Sequence, residues 1–332
     1  MSLPPSEIPL GAIRFNSDSQ KLEYWMGSAW MQIITFSPNL DSGVRGIFYG
    51  GHPNSNVIDF VTIPTAGNAI DFGDALSANR QRGVCASNVR AVSHGRDSGS
   101  DVIEFVTFSS TGDAQDFGDG TVNRAGAPMA VSNGNRGIWG GGDSGPGTLL
   151  NSIDFITIAQ TGNAVDFGDL DVIHSDGGRA QSPTRGIIAG GRTAPNSSKN
   201  NVIEFITIST LGNGANFGDL TLARNEIGSD SNAIRGIFAG GNSDSAQSVI
   251  EFITIATLGD ALDFGDISSN ATESRGSASP TRFAFSLGVT PSNTNQIEYV
   301  QIMTTGNAVD FGDLTQARGQ AAGVSNGHGG LG

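Results

Sequence analysis

Apolar and polar positions along the chain alternate in short bursts, and none of them keeps the 3.6-residue spacing of an amphipathic helix. The clearest burst is Val249-Ile250-Glu251-Phe252-Ile253-Thr254-Ile255, a β-branched and aromatic run with one acid inside it. Before it stands Arg235-Gly236-Ile237-Phe238-Ala239-Gly240-Gly241, and after it Ala261-Leu262-Asp263-Phe264-Gly265-Asp266; all three read as strands. A weaker fourth strand, small and polar, precedes the arginine and runs from Arg224 to Asn232. In the equivalent run from Val57 to Ile63, Ile58 and Phe60 point opposite to Val57, Val61 and Ile63, so both faces of such a sheet must be covered.

The pattern recurs. The arginine returns at Arg45, Arg90, Arg136, Arg185, Arg235 and Arg282, with steps of 45, 46, 49, 50 and 47 residues, and a period of this size marks a solenoid or a propeller. The acid within the second strand returns at Asp59, Glu104, Asp154, Glu204, Glu251 and Glu298. A Gly-Asn or Gly-Asp turn follows each time, from Gly67-Asn68 to Gly306-Asn307, and then a Phe-Gly-Asp ending at Asp74, Asp119, Asp169, Asp219, Asp266 and Asp313.

Counting decides how the units end. Residues 36–44, ahead of Arg45, do not resemble the weak fourth strand, whereas the chain closes with one, Ala317 to Asn326, that no unit follows. Pairing that strand beside the one at Arg45 would give every unit four strands and leave no open edge. The expected fold is therefore all-β: a six-bladed, kelch-like β-propeller over residues 36–332, preceded by a small N-terminal hairpin over residues 1–35.

Composition changes the picture only at its margins. The net charge is -14 with only 18 Lys and Arg, which argues against nucleic acid as a partner, because phosphates are held by cations. Cys85 stands alone, excluding an internal disulfide and a cysteine zinc site. No run approaches the length of a membrane span, and the opening from Met1 to Leu10 lacks the basic and apolar regions of a signal peptide.

The order of a small polar strand, a strand ending in Gly-Gly (Gly50-Gly51, Gly141-Gly142, Gly190-Gly191, Gly240-Gly241), an acid strand and a short aromatic strand resembles the kelch blade, although His94-Gly95 and Leu287-Gly288 replace the glycine pair in two units. More specifically, the units are similar to repeats of tailed-phage virion proteins, notably from phages of cyanobacteria and marine bacteria. That similarity covers residues 45–330, and Ser325-Asn326-Gly327-His328-Gly329-Gly330 resembles the end of such proteins. The segment from Leu10 to Trp30, with Ile13-Arg14-Phe15-Asn16, Leu22-Glu23-Tyr24-Trp25 and Ser28-Ala29-Trp30, is similar to a short motif of phage fibre and virion subunits. The resemblance implies a virion protein of a tailed phage, a tail fibre or other host-recognition component. Its implied partners are other virion subunits and a host surface glycan, and the N-terminal hairpin would serve attachment or homo-oligomerisation, with a trimer as the guess. Two alternatives stay open: a capsid or tail decoration protein without a receptor, and a propeller glycan hydrolase, which would need convergent carboxylates or a metal near a central channel.

Little in the sequence favours catalysis. The six strand acids could ring a metal, but one arginine per acid suggests six buried ion pairs, Arg45, Arg90, Arg136, Arg185, Arg235 and Arg282 with Asp59, Glu104, Asp154, Glu204, Glu251 and Glu298. Asp71-Phe72-Gly73 spells a kinase motif yet recurs in most units, and Gly140-Gly141-Gly142-Asp143 lacks both the lysine and the helix of a phosphate loop. His52, His94, His174 and His328 fall at unrelated repeat positions. No cofactor or metal is expected, and the protein reads as a non-enzyme. What varies is the connection between the Gly-Gly strand and the acid strand, longest at Asp143 to Ser152 and Arg192 to Asn201. Such variable connections carry recognition on a rigid scaffold, and Asp143, Ser144, Thr148, Arg192, Asn196, Lys199, Asn242 and Asp244 are the candidate binding residues.

Overall fold

The computed structural model describes residues 8–16, 21–32, 44–96, 99–145, 148–193 and 198–331. The chain divides into two compact units, Met1–Leu40 and Asp41–Gly332. Among the described residues it is all-β, with only a short turn of 3-10 helix at Gly329–Leu331.

In the first unit, Ile13–Asn16, Lys21–Trp25 and Trp30–Gln32 form a three-stranded antiparallel sheet. The expected hairpin thus gains a third strand. Trp25 and Trp30 sit opposite each other on neighbouring strands, with ring centroids 5.4 Å apart. Asn16 ends the first strand, and residues 17–20, which follow it, lie outside the described ones.

The second unit contains six antiparallel sheets of four strands each. In one of them Gly228–Ser231 leads, followed by the arginine strand Arg235–Ala239, the acid strand Gln247–Thr254 and the trailing strand Leu262–Ala271. Five sheets use four consecutive strands of this kind. The sixth is composite: its leading strand is Ala322–Ser325 from the C-terminus, paired with Arg45–Gly51 in the register Ala322 to Tyr49 and Ser325 to Gly46.

Three contacts join each sheet to the next. First, the Gly-Asn or Gly-Asp turn of one unit docks on the trailing strand of the preceding one: the Gly112 N–H donates to Phe72 O at 2.7 Å, and the same bond recurs from Gly162, Gly212, Gly259 and Gly306, and from Gly67 to Phe311 O at 2.7 Å. Second, buried apolar side chains form six clusters, each shared by two successive sheets. Cys85, Val92 and Ile103 pack with Ala130, Trp139 and Ile156, and Ala284, Ile297 and Phe311 of the last unit pack with Phe48, Val61 and Ile63 of the first. Third, each repeat arginine reaches forward to backbone carbonyls at the end of the next acid strand, Arg45 to Phe108 O at 2.6 Å and Arg282 to Pro64 O at 2.7 Å.

The repeat arginines are not the partners of the strand acids. In the register between the two strands, Arg45 lies opposite Thr62 while Asp59 lies opposite Phe48, three residues along and therefore on the other face of the pleat. On its own face Arg45 sits over the Phe60 ring at 4.8 Å, and Arg90, Arg136, Arg185, Arg235 and Arg282 lie in the same way over Phe105, Phe155, Phe205, Phe252 and Tyr299. The expectation of six ion pairs between these arginines and these acids is overturned by that parity.

Candidate functional site

The strand acids are nevertheless buried and engaged, by residues the repeat count passed over. Five residues after the Phe-Gly-Asp of most units stands a base: Arg124 after Asp119, His174 after Asp169, Arg224 after Asp219 and Arg318 after Asp313. Arg318 meets Asp59 at 3.0 Å, Arg124 meets Asp154 at 3.1 Å, His174 meets Glu204 at 2.9 Å and Arg224 meets Glu251 at 2.6 Å. After Asp74 of the first unit Asn79 holds that place, and Arg82 reaches Glu104 instead, at 2.8 Å. After Asp266 of the fifth Ala271 holds it, and Glu298 accepts from the Ser268 N–H and the Gln296 amide. His174 therefore does occupy a repeat position. Burial pulls the guanidiniums of Arg82, Arg124, Arg224 and Arg318 below their usual range, and the facing carboxylates pull them back up.

These bases also fix the ends of the arginine strands. His174 Nδ1 lies 2.6 Å from Gly190 O, and Arg224 Nη1 donates to Gly240 O at 2.5 Å. The glycines can present those carbonyls because Gly190 and Gly240 both have φ near +61°, where a side chain would be strained. The chain then leaves each sheet at the same end. The first residue after the glycine pair bridges to the strand entry beside it in five units: Gly126 to Asp143, Ser175 to Arg192, Asn225 to Asn242, Thr272 to Val289 and His52 to Gly319.

That end of the sheets carries the variable connections, and the structure ties several of them together. Asp143–Gly145 pairs with Thr148–Leu149, and Arg192–Thr193 with Ser198–Lys199, so the two longest connections are small hairpins. Arg192 bridges to Asp143 of the neighbouring unit at 3.2 Å, and Lys199 to Asp244 at 2.7 Å with a further bond to Asn242 at 3.1 Å. Five of the eight candidate binding residues thus brace one another across three units. Ser144 and Thr148 are exposed on the first hairpin, and Asn196 lies outside the described residues.

Next to these loops, at the entry to each leading strand, sits a second repeated feature that the sequence reading missed. Gln81, Asp176, Glu226, Glu273 and Gln320 all adopt left-handed backbone, with φ between 52° and 60°, each two residues ahead of its strand. They are linked through the main chain, the Glu226 N–H donating to Asp176 O and the Gln320 N–H to Glu273 O. Arg275 joins the group, 2.6 Å from Asp176. Burial, and then the Asp176 charge, push the Glu226 carboxyl up to about 7. The signal in the sequence was weak, because the position alternates between Asp, Glu and Gln and is Ala127 in the remaining unit.

The leading strands pack on one another in succession, and one side chain spans several of them. Arg179 donates to Val84 O at 3.0 Å, to Ala130 O at 2.8 Å and to Gly323 O, three carbonyls on three other leading strands. A cavity of about 30 Å³, the volume of roughly one water, lies beside it between Arg82, Arg275, Met129 and Ile227. Among the described residues no group of His, Cys, Asp and Glu is arranged to hold a metal. Chemically the region offers a braced polar surface with hydroxyl, amide and charged groups. No known protein family matches the chain, and no curated protein matches it either.

Proposed function

We propose that the six sheets are the blades of a closed six-bladed β-propeller, and that this scaffold belongs to a tailed-phage virion protein that binds a host surface glycan. Closure is supported by the repetition of the same turn docking, the same shared core and the same arginine latch between the last unit and the first. The virion assignment rests on the resemblance of the repeats and of the N-terminal motif. The binding role rests on one observation above others: the connections that vary share one end of the sheets, and there Arg192, Asp143, Lys199, Asp244 and Asn242 lock neighbouring loops to each other.

Loops held in this way lose little entropy on binding, which favours recognition. Their Ser, Asn, Thr and Gly content with a few charges suits hydrogen bonding to a sugar better than the aromatic anchoring of a protein groove. A binding role rather than catalysis is favoured by the strand acids, each engaged by Arg, His, Tyr, Thr, Gln or backbone N–H groups in the interior. The test shortens both hairpins together and follows adsorption to host cells and particle assembly. Adsorption should fall at least about tenfold, the loss of some 1.4 kcal/mol of binding, with assembly unchanged. Unchanged adsorption would overturn the reading in favour of decoration.

A further inference from the structure

The three-stranded sheet of the first unit has two faces of opposite character. Cross-strand partners share a face, so the register places Arg14, Asn16, Glu23, Trp25 and Trp30 on one side and Ile13, Phe15, Leu22, Tyr24 and Met31 on the other. The first side is internally satisfied. Glu23 accepts from Arg14 at 2.8 Å and from Asn16 at 3.0 Å, Arg14 covers the Trp30 ring at 4.1 Å, and Glu23 and Trp25 are buried. The second side is apolar and open: Ile13 is 66% exposed and Phe15 63%, and Leu22, Tyr24 and Met31 are exposed as well.

We propose that this apolar face is an interface between copies of the chain, two of which pack their sheets face to face. The claim is independent of the glycan-binding reading. A contiguous apolar sheet face of this size marks an interaction surface rather than ordinary solvent-facing scatter. Five large side chains offer on the order of 500 Å² per copy, hence roughly 1,000 Å² in a pair, which reaches the lower limit of a specific interface. None of the five is charged, so a symmetry-related copy brings no like charges together, and a facing sheet gives the apolar side the second layer that sheets ordinarily pack against. A second copy supplies the same face in equal amount.

The experiment is the oligomeric state of the full chain by sedimentation over a roughly hundredfold range of concentration. The wild type should associate to a mass of two chains, and Phe15→Lys should return it to one chain while the melting of the repeat unit stays unchanged. A wild type that stays monomeric, whether because another subunit or the chain's own second unit covers the face, would overturn the proposal, as would a dimer that survives Phe15→Lys. Because the charge could simply unfold the sheet, a second measurement uses Phe15→Cys and Arg14→Cys with a short bis-maleimide. Cys85 does not compete, being buried with its thiol pushed up to about 12. Cross-linking between chains should occur at position 15 and not at 14, and equal reaction at both, or none at either, counts against a face-to-face pair.

Discussion

The Arg224 guanidinium meets the Glu251 carboxylate at 2.6 Å with neither side chain open to solvent, while Arg235, the arginine of the repeat, lies over the Phe252 ring next in sequence to that acid. Two arginines of one unit therefore do different work on opposite faces of the same sheet. Arg224→Ala leaves a buried carboxylate with no cation and should cost about 3–5 kcal/mol. Arg235→Ala gives up a ring contact and a bond to Ile302 O, and should cost about 1–2 kcal/mol. Urea denaturation of both variants checks the order, and equal losses would contradict it.

Gly118, in the second Phe-Gly-Asp, has φ of 150°, and a Cβ there would collide with the carbonyl oxygen of Gly162, the turn that docks on it. Gly162 has similar backbone with nothing within 4 Å of its own Cβ position. Gly118→Ala should therefore push two sheets apart and lose about 2–3 kcal/mol, whereas Gly162→Ala should lose only the backbone strain, about 1 kcal/mol. Thermal melts of the pair distinguish docking from local strain.

Removing the residues after Asp313 takes away the strand Ala322–Ser325 beside Arg45–Gly51 and the Arg318 partner of Asp59. Stranding Asp59 alone should cost about 3–5 kcal/mol, and the exposed edge of the first sheet adds to it. The truncated chain is expected to melt at lower temperature and over a broader range. A melt indistinguishable from that of the intact chain would show that this strand contributes nothing to stability.

His328 is buried, its Nε2 2.9 Å from Ala86 O and its Nδ1 accepting the Gly330 N–H at 3.1 Å, an arrangement that suits the neutral ring. Burial lowers it from the ordinary 6.5 to about 4. The unfolded chain then binds more protons than the folded one, so this stability is complete above pH 6.5 and is lost as pH falls toward 4, up to about 3 kcal/mol. Glu226, pushed up to about 7, and Asp230, pushed up to about 6, act in the opposite sense, their stability being complete in acid and lost as pH rises through those values. His328→Gln should flatten the acid loss seen in urea midpoints between pH 7 and pH 4. An unchanged slope would mean that the ring does not stay neutral in the fold.

Alternation and period by themselves determined the strands, their count per unit and the return of the C-terminal strand to Arg45, because a sheet's side-chain period is two residues and every unit must bury the same positions. They also separated the constant turns, which dock on the preceding sheet, from the variable connections. Pairing of charges needed the register: only the placement of Asp59 opposite Phe48 shows that the acid faces away from Arg45 and toward Arg318, which arrives from the far end of the chain. The left-handed positions from Gln81 to Gln320 and the reach of Arg179 to three other leading strands were decided by tertiary structure as well. They lie where several units meet, and there each residue answers to neighbours in other units, up to 144 positions away for Arg179, rather than to the repeat that contains it.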